Sequence, residues 1–274
     1  MCRFTLYIGS KTPLSALLTE PNHSLIKQSF DSKERIEPLN GDGFGIGWYI
    51  NNDPNPARFR AASPAWNNSN LYDLSRATHS NCILAHIRAA TQGFAVTENN
   101  CHPFKFDNLL MAHNGNINQF YKIKRNLLNK LNDDLFTQIN GNTDSEHFFA
   151  LYTENLRANL KVNTNSLHAM TIALHNTIAD VVDLVNIHTT DNADNTIFLN
   201  CAITNGLEAV ICRFTTNTQK GPDSLYICRE HDNSHCVIVS SEPLCQDRNW
   251  LEVPKYHILT IDKDLNINTQ AITV

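Results

Sequence analysis

The sequence contains no apolar run approaching the roughly 18 residues that would cross a bilayer, which excludes a helical membrane protein. Positive charge is not in excess. The 22 Lys and Arg stand against 27 Asp and Glu, for a formal net charge of -5, so nucleic acid and anionic membrane surfaces are excluded as electrostatic partners. Glycine and proline number only ten each among 274 residues. No Pro-, Gly- or Ser-rich linker divides the chain and no segment repeats, which points to a single domain over residues 2–274 rather than an array. The N-terminus, MCRFTLYIGSKTPLSALL, has neither the long apolar core nor the small-residue cleavage site of a secretory signal. At 42% apolar and 18% charged residues, the chain can bury a sizeable core and is neither disordered nor fibrous.

Cysteine is not scarce. Cys2, Cys82, Cys101, Cys201, Cys212, Cys228, Cys236 and Cys245 form an even set, which invites a disulfide framework. Several of them lie inside apolar strand-like runs (NCILAH, FLNCAIT, AVICRF, HCVIVSS), where Cys behaves as a small hydrophobe. With no secretory signal, the expectation is free thiols in a reducing, cytoplasmic compartment.

Short runs rich in β-branched and aromatic residues occupy both ends of the chain, at 3–9, 43–50, 82–88, 108–114, 196–204, 208–215, 223–229, 235–241, 256–262 and 267–274. Residues 51–59 (NNDPNPARF) read as a loop or hairpin connection. Helical spacing is concentrated in the middle, in Phe120/Ile123/Leu127/Leu131, Phe148/Tyr152/Leu156/Leu160 and Leu167/Met170/Leu174/Ile178/Val181/Val185. Weaker helices are expected after Pro13 and near 69–77. Strands, then helices, then strands again predict an α+β architecture of mostly antiparallel sheets covered by helices.

Four places can carry chemistry. Cys2 follows an initiator Met of the kind commonly removed before a small side chain. Removal would leave a thiol and an α-amine on one residue, and the amine's reference pKa of roughly 7.7–8.0 suits it to accept the thiol proton. In AHIRAAT (85–91), Arg88 at a strand end suits a two-pronged grip on a carboxylate, and Thr91 offers a hydroxyl. In MAHNGNI (111–117), Asn114 and the backbone N–H of Gly115 can converge as an oxyanion hole. In NTDSEHFF (142–149), Thr143 and Glu146 have capping-box spacing, which puts Asp144 in a first helical turn, ionised and able to hold an ammonium. Each has an ordinary alternative: a chance cysteine, a surface ion pair, an Asn-Gly turn and a helix-stabilising Asp.

The glycine-rich run GDGFGIGWY (41–49) continues as a strand and so is no dinucleotide fingerprint. Close approach by a substrate or another backbone, or a bulge, would account for its glycines. Cys228, His231, His235 and Cys236 have tempting metal spacings but read more simply as a polar hairpin tip, with no metal or cofactor expected.

The order of these motifs is specific. A Cys at position 2, HxRxAT from His86 to Thr91, NxHPF within 99–104, HNGxI from His113 and TDSE from Thr143 together resemble the class II glutamine amidotransferase domain. MCRF, the run 17–30, GDGFGIGWY and SSEPL (240–244) are similar to its stand-alone branch, which includes γ-glutamyl hydrolases of ergothioneine synthesis and glutathione degradation. The resemblance runs from Cys2 to about Trp250. It implies an N-terminal nucleophile hydrolase fold, a four-layer αββα sandwich of two antiparallel sheets flanked by helices. It also implies Cys2 as nucleophile with its own α-amine as base, Asn114 and Gly115 as the oxyanion pair, Arg88 with Thr91 at the substrate α-carboxylate, and Asp144 at the α-ammonium.

Two positions depart from the pattern. Arg3 stands where synthase-linked members usually carry Gly, and Ala89 where several carry an aromatic, which implies a lid over the substrate that differs from theirs. With no room for a second catalytic domain, a free-standing hydrolase of glutamine or a γ-glutamyl amide is expected. The alternatives are a glutaminase subunit that passes ammonia to a protein partner, a non-catalytic γ-glutamyl-binding protein if Met1 is retained, and, more weakly, a zinc hydrolase. A homo-oligomer is compatible with each.

Overall fold

The computed structural model describes residues 2–34, 39–51, 53–89, 95–189, 194–230 and 235–274. Along the chain, β1 (Arg3–Pro13) leads into the short helices α1 (Ser15–Leu18) and α2 (Leu25–Gln28), then β2 (Phe44–Ile50) and β3 (Asp53–Ala61). Helix α3 (Ser69–Ala77) precedes β4 (His79–Ile87), β5 (Phe104–Phe106) and β6 (Leu109–Ile117). The central helices are α4 (Phe120–Leu128), α5 (Asp133–Gln138), α6 (Asp144–Leu160) and α7 (Ser166–His188). The rest is strand: β7 (Ile197–Thr204), β8 (Ala209–Thr215), β9 (Tyr226–Glu230), β10 (Cys236–Ser240), β11 (Trp250–Glu252), β12 (His257–Ile261) and β13 (Ile267–Ala271).

The strands form a sheet ordered β11-β9-β10-β1-β4-β2-β3 and another ordered β13-β12-β8-β7-β6-β5, and the pairings are antiparallel in both. Period-2 alternation explains why they stack. Phe4, Leu6 and Ile8 of β1 face Leu110, Ala112, Ala202 and Ile211 of the other sheet. The opposite faces bury Tyr7, Ile83 and Ile238 under Leu17, Leu25 and Leu71 of α1–α3. On the other flank, Met111, Leu199 and Val210 lie under Ile123, Phe148, Leu174 and Ile178 of α4, α6 and α7. Three apolar interfaces separate four layers, αββα, as the resemblance implied. Each fully buried Leu, Ile or Phe contributes about 1.5–3 kcal/mol.

Differences from the sequence reading have local causes. Most of 51–59 is strand, because β3 lies at the edge of its sheet, where Pro54 and Pro56 remove no interior ladder bond. Helix α6 is buried all round from Asp144 to Thr153, while the fourth residue of its expected face, Leu160, is 47% exposed. The glycines of β2 admit another backbone: a Cβ on Gly45 would stand 2.2 Å from the His102 carbonyl oxygen. All eight cysteines are free thiols. Cys228 and Cys236 are buried in β9 and β10, and His231 lies outside the described residues. Among the described residues no three metal donors converge, and no helix is long and apolar enough to cross a membrane.

Candidate active site

The register of the first sheet places the N-terminus. Arg3 of β1 pairs with Ile87 of β4, so Cys2 falls beside Arg88 and Ala89, where β4 ends. The Ala89 N–H reaches the Cys2 Sγ at 3.4 Å, and the thiol points back to the Ala89 carbonyl, also at 3.4 Å. Burial pushes the thiol up to about 11, with the Ala89 bond and the charges of Arg88 and Arg3 pulling it down and that of Asp144 pushing it up. Sγ therefore lies within the field of two buried arginines and one buried aspartate.

Arg88 is 3% exposed. Its backbone N–H donates to the Gly43 carbonyl at 2.8 Å, and among the described residues its guanidinium has one hydrogen-bond partner, the Ala95 carbonyl, reached by Nη1 at 3.2 Å. Asp144 opens α6, capped by Thr143, whose Oγ1 accepts the Glu146 N–H at 3.2 Å. The capping box is half made: the Glu146 carboxylate takes the Asn140 and Gly141 N–H groups instead. One Asp144 oxygen accepts the Ile117 N–H and the other the Ser145 N–H, both at 2.7 Å. Helix α6 is thereby tied to the end of β6, beside Asn114 and Gly115.

Asn114 and Gly115 are not a turn. They lie within β6, opposite Asn200 and Leu199 of β7. Asn114 is 1% exposed, and its Oδ1 is buried without a partner. Gly115 has φ +153°, and a Cβ there would stand 2.0 Å from the Phe198 carbonyl oxygen. Gly115→Ala must therefore part β6 from β7. The expected result is a loss of more than about 4 kcal/mol in urea unfolding; a midpoint equal to that of the unsubstituted protein would refute the steric argument. Thr91 lies outside the described residues.

Two sets of residues at this end of the sandwich escaped the sequence reading. Three buried histidines bridge the sheets: His86 Nε2 meets the His113 carbonyl at 3.2 Å, and His86 packs on His102 with ring centroids 4.1 Å apart. His113 bonds the Ser145 hydroxyl through Nδ1 at 2.8 Å and the Phe198 carbonyl through Nε2 at 3.0 Å, so Nε2 carries the proton. Burial pulls all three toward the neutral form, His86 down to about 3. The second set surrounds Glu242. It accepts from Arg3 Nε at 2.7 Å, His23 Nε2 at 2.8 Å, Ser32 Oγ at 2.6 Å and the Lys33 N–H at 2.9 Å, and these bonds hold its carboxyl well below the usual range. The SSEPL segment was the only visible hint of it.

The structure thus gathers Cys2, Arg88 and Asp144, with Asn114 and Gly115 on the strand whose end Asp144 binds. Known proteins share this frame. The solved structure of a glutamine aminotransferase class-II domain protein from Silicibacter pomeroyi superposes with a TM-score of 0.73 at 23% identity, covering 100% of both chains. The probable glutamine amidotransferase DUG3 of Saccharomyces cerevisiae is 37% identical over 296 residues, 96% of this chain and 82% of the yeast protein. The gamma-glutamyl-hercynylcysteine sulfoxide hydrolase of Mycobacterium tuberculosis is 26% identical over 262 residues, 95% of this chain and 93% of its own. The family profile described as glutamine amidotransferases class-II matches residues 20–271. By fold, by profile and by overall identity, the chain belongs to the class II glutamine amidotransferases, an enzyme family.

Proposed function

We propose that residues 2–274 form one glutamine amidotransferase type-2 domain that hydrolyses the γ-amide of glutamine or of a γ-glutamyl compound, with Cys2 as nucleophile. The observation that carries this reading is the setting of the thiol, desolvated against the Ala89 peptide between the charges of Arg88 and Asp144. A substrate carrying both a carboxylate and an ammonium on one carbon matches that pair of charges. The similarity to a yeast probable glutamine amidotransferase and a mycobacterial gamma-glutamyl-hercynylcysteine sulfoxide hydrolase supports the same bond as target. The eight free thiols favour a reducing, cytoplasmic setting.

With the thiol pushed up to about 11 by burial, Cys2 is a thiol rather than a thiolate at pH 7. A base must therefore take the proton during attack. The α-amine exposed by removal of Met1 is that base, on the same residue. The sulfur adds to the γ-carbonyl carbon, and the Asn114 side-chain amide and Gly115 N–H receive the oxyanion, each contributing about 2.7–4 kcal/mol to the barrier reduction. The ammonium returns the proton to the leaving nitrogen as the C–N bond breaks, which leaves a thioester. Water, deprotonated by the same amine, then releases glutamate and restores the thiol.

The test is glutamate release from glutamine, glutathione and other γ-glutamyl amides, using protein whose N-terminus has been verified by intact mass. Turnover of at least one of them is expected. A free N-terminal Cys2 with no turnover on any would overturn the free-standing hydrolase.

A further inference from the structure

The guanidinium of Arg3 makes three bonds in three directions. Nε donates to Glu242 Oε1 at 2.7 Å, Nη2 to Ser32 Oγ at 2.7 Å, and Nη1 to the carbonyl oxygen of Cys2 at 3.0 Å. Both charged partners are almost fully buried, with 3% and 1% of their side chains accessible. Glu242 is held in turn by His23, by the Ser32 hydroxyl and by the Lys33 and Glu34 N–H groups. The preceding residues grip the same strand: the Phe4 N–H donates to Ser241 Oγ at 3.1 Å, and the Thr5 and Ser240 hydroxyls lie 2.8 Å apart.

Stability alone is a poor reason for such a cluster. Desolvating two charges offsets most of what their attraction returns, and apolar residues of similar volume often do as well or better in that role. What an apolar pair lacks is a donor for the Cys2 carbonyl. That carbonyl belongs to the residue proposed to carry both nucleophile and base, which has no preceding chain to orient it once Met1 is gone.

We propose that Arg3, braced by Glu242, is a positioning residue for the nucleophile: it clamps the Cys2 carbonyl and so fixes the direction in which the thiol and the α-amine of that residue point. The step from clamp to turnover rests on the hydrolase reading above; the clamp itself does not. A planar fork, unlike a lysine ammonium, holds three acceptors at set angles, and a displacement of about 1 Å at a reacting group can lower a rate about 10²-fold. The arginine charge also lies on the side that favours thiolate. Arg3 itself is buried, with its guanidinium engaged in these three bonds.

The test uses the full chain with Met1 removed and compares it with Arg3→Met, Arg3→Lys and Ser32→Ala. Two readouts are taken beside the melting temperature. One is kcat and KM for glutamate release on the best γ-glutamyl amide. The other, which needs no substrate, is the rate of Cys2 alkylation by iodoacetamide across pH, read on the N-terminal peptide by mass spectrometry. The expected result for Arg3→Met is a kcat about 10²-fold lower with KM within about threefold, and slower alkylation with its pH profile displaced upward. Arg3→Lys, which keeps the charge but loses the fork, should restore the alkylation profile while kcat stays low. Ser32→Ala removes one hydroxyl from a half-buried residue and should lower kcat by a few-fold; it carries the test if Arg3→Met fails to fold. Folded variants with unchanged kcat and unchanged alkylation would overturn the proposal, as would a fall in melting temperature with no change in either rate. A wild-type protein that turns over no γ-glutamyl amide yet shows the alkylation differences would sink the hydrolase reading and leave the clamp standing.

Discussion

Cys2→Ala is expected to lower glutamate release by at least about 10³-fold, the scale of loss when a nucleophile is deleted and only binding and oxyanion stabilisation remain. The fold should hardly notice. Among the described residues the Cys2 sulfur makes two long hydrogen bonds, both to Ala89 at 3.4 Å, so the melting temperature should change by no more than a surface substitution would change it. That separation of rate from stability is the signature sought, and substrate affinity should persist because Arg88 and Asp144, the proposed holders of the substrate's two charges, are untouched. Intact mass decides how the wild type is to be read. Retained Met1 blocks the amine and leaves a protein that binds a γ-glutamyl group without cleaving it. A Cys2→Ala protein that still releases glutamate at the wild-type rate ends the nucleophile assignment.

Acid is expected to destabilise the protein well before its carboxylates titrate. His86, His102 and His113 are fully buried, and all three are pulled below the ordinary histidine range by burial. In the unfolded chain each protonates near pH 6.5. For a group whose folded pKa is depressed, the unfolded state binds more protons throughout the interval between the two pKa values, so stability falls as pH falls through that window. One such histidine loses about 1.4 kcal/mol per pH unit below about 6.5. His86, brought down to about 3, accounts for about 1.4 kcal/mol between pH 7.5 and 5.5, and His102 and His113 add to it in the same direction. His147, brought down to about 4 by burial, acts in the same direction. Urea unfolding at the two pH values measures this directly, and a His102→Phe variant should show a shallower slope. A free energy of unfolding that stays level from pH 7.5 to 5.5 would show that these rings are not held neutral.

Much of the architecture could be read ahead because its cause is local. β1, β4, β6, β7, β8, β10 and β12 each carry enough alternating apolar residues to announce a strand, and α6 and α7 enough threefold and fourfold spacing to announce a helix. β3 could not be read that way, since two prolines mask a strand that only its edge position permits. β5 and β11 are three residues each, too short to show a period. The candidate site was legible where residue order carried it: Cys2, Arg88, Asn114, Gly115 and Asp144 follow one another as in a known family. The Arg3–Glu242 pair was not legible, because its members are 239 positions apart and nothing near either one names the other. The same holds for the histidine bridge, assembled from three segments that meet only once both sheets exist. The Asn-Gly dipeptide alone also suggests a turn, whereas β7 holds it in a ladder.

The pairing of β1 with β10 also dictates an order of events during biosynthesis. Thr5 must wait for Ser240, 235 residues downstream, which at ordinary translation speeds of about 5–20 residues per second is roughly 12–50 s. Until then β1, which β4 can join early, presents one open edge to whatever surrounds the ribosome. An enzyme that trims nascent chains would have that interval to reach the N-terminus before the β1–β10 ladder closes. The same interval is when this chain most needs a chaperone.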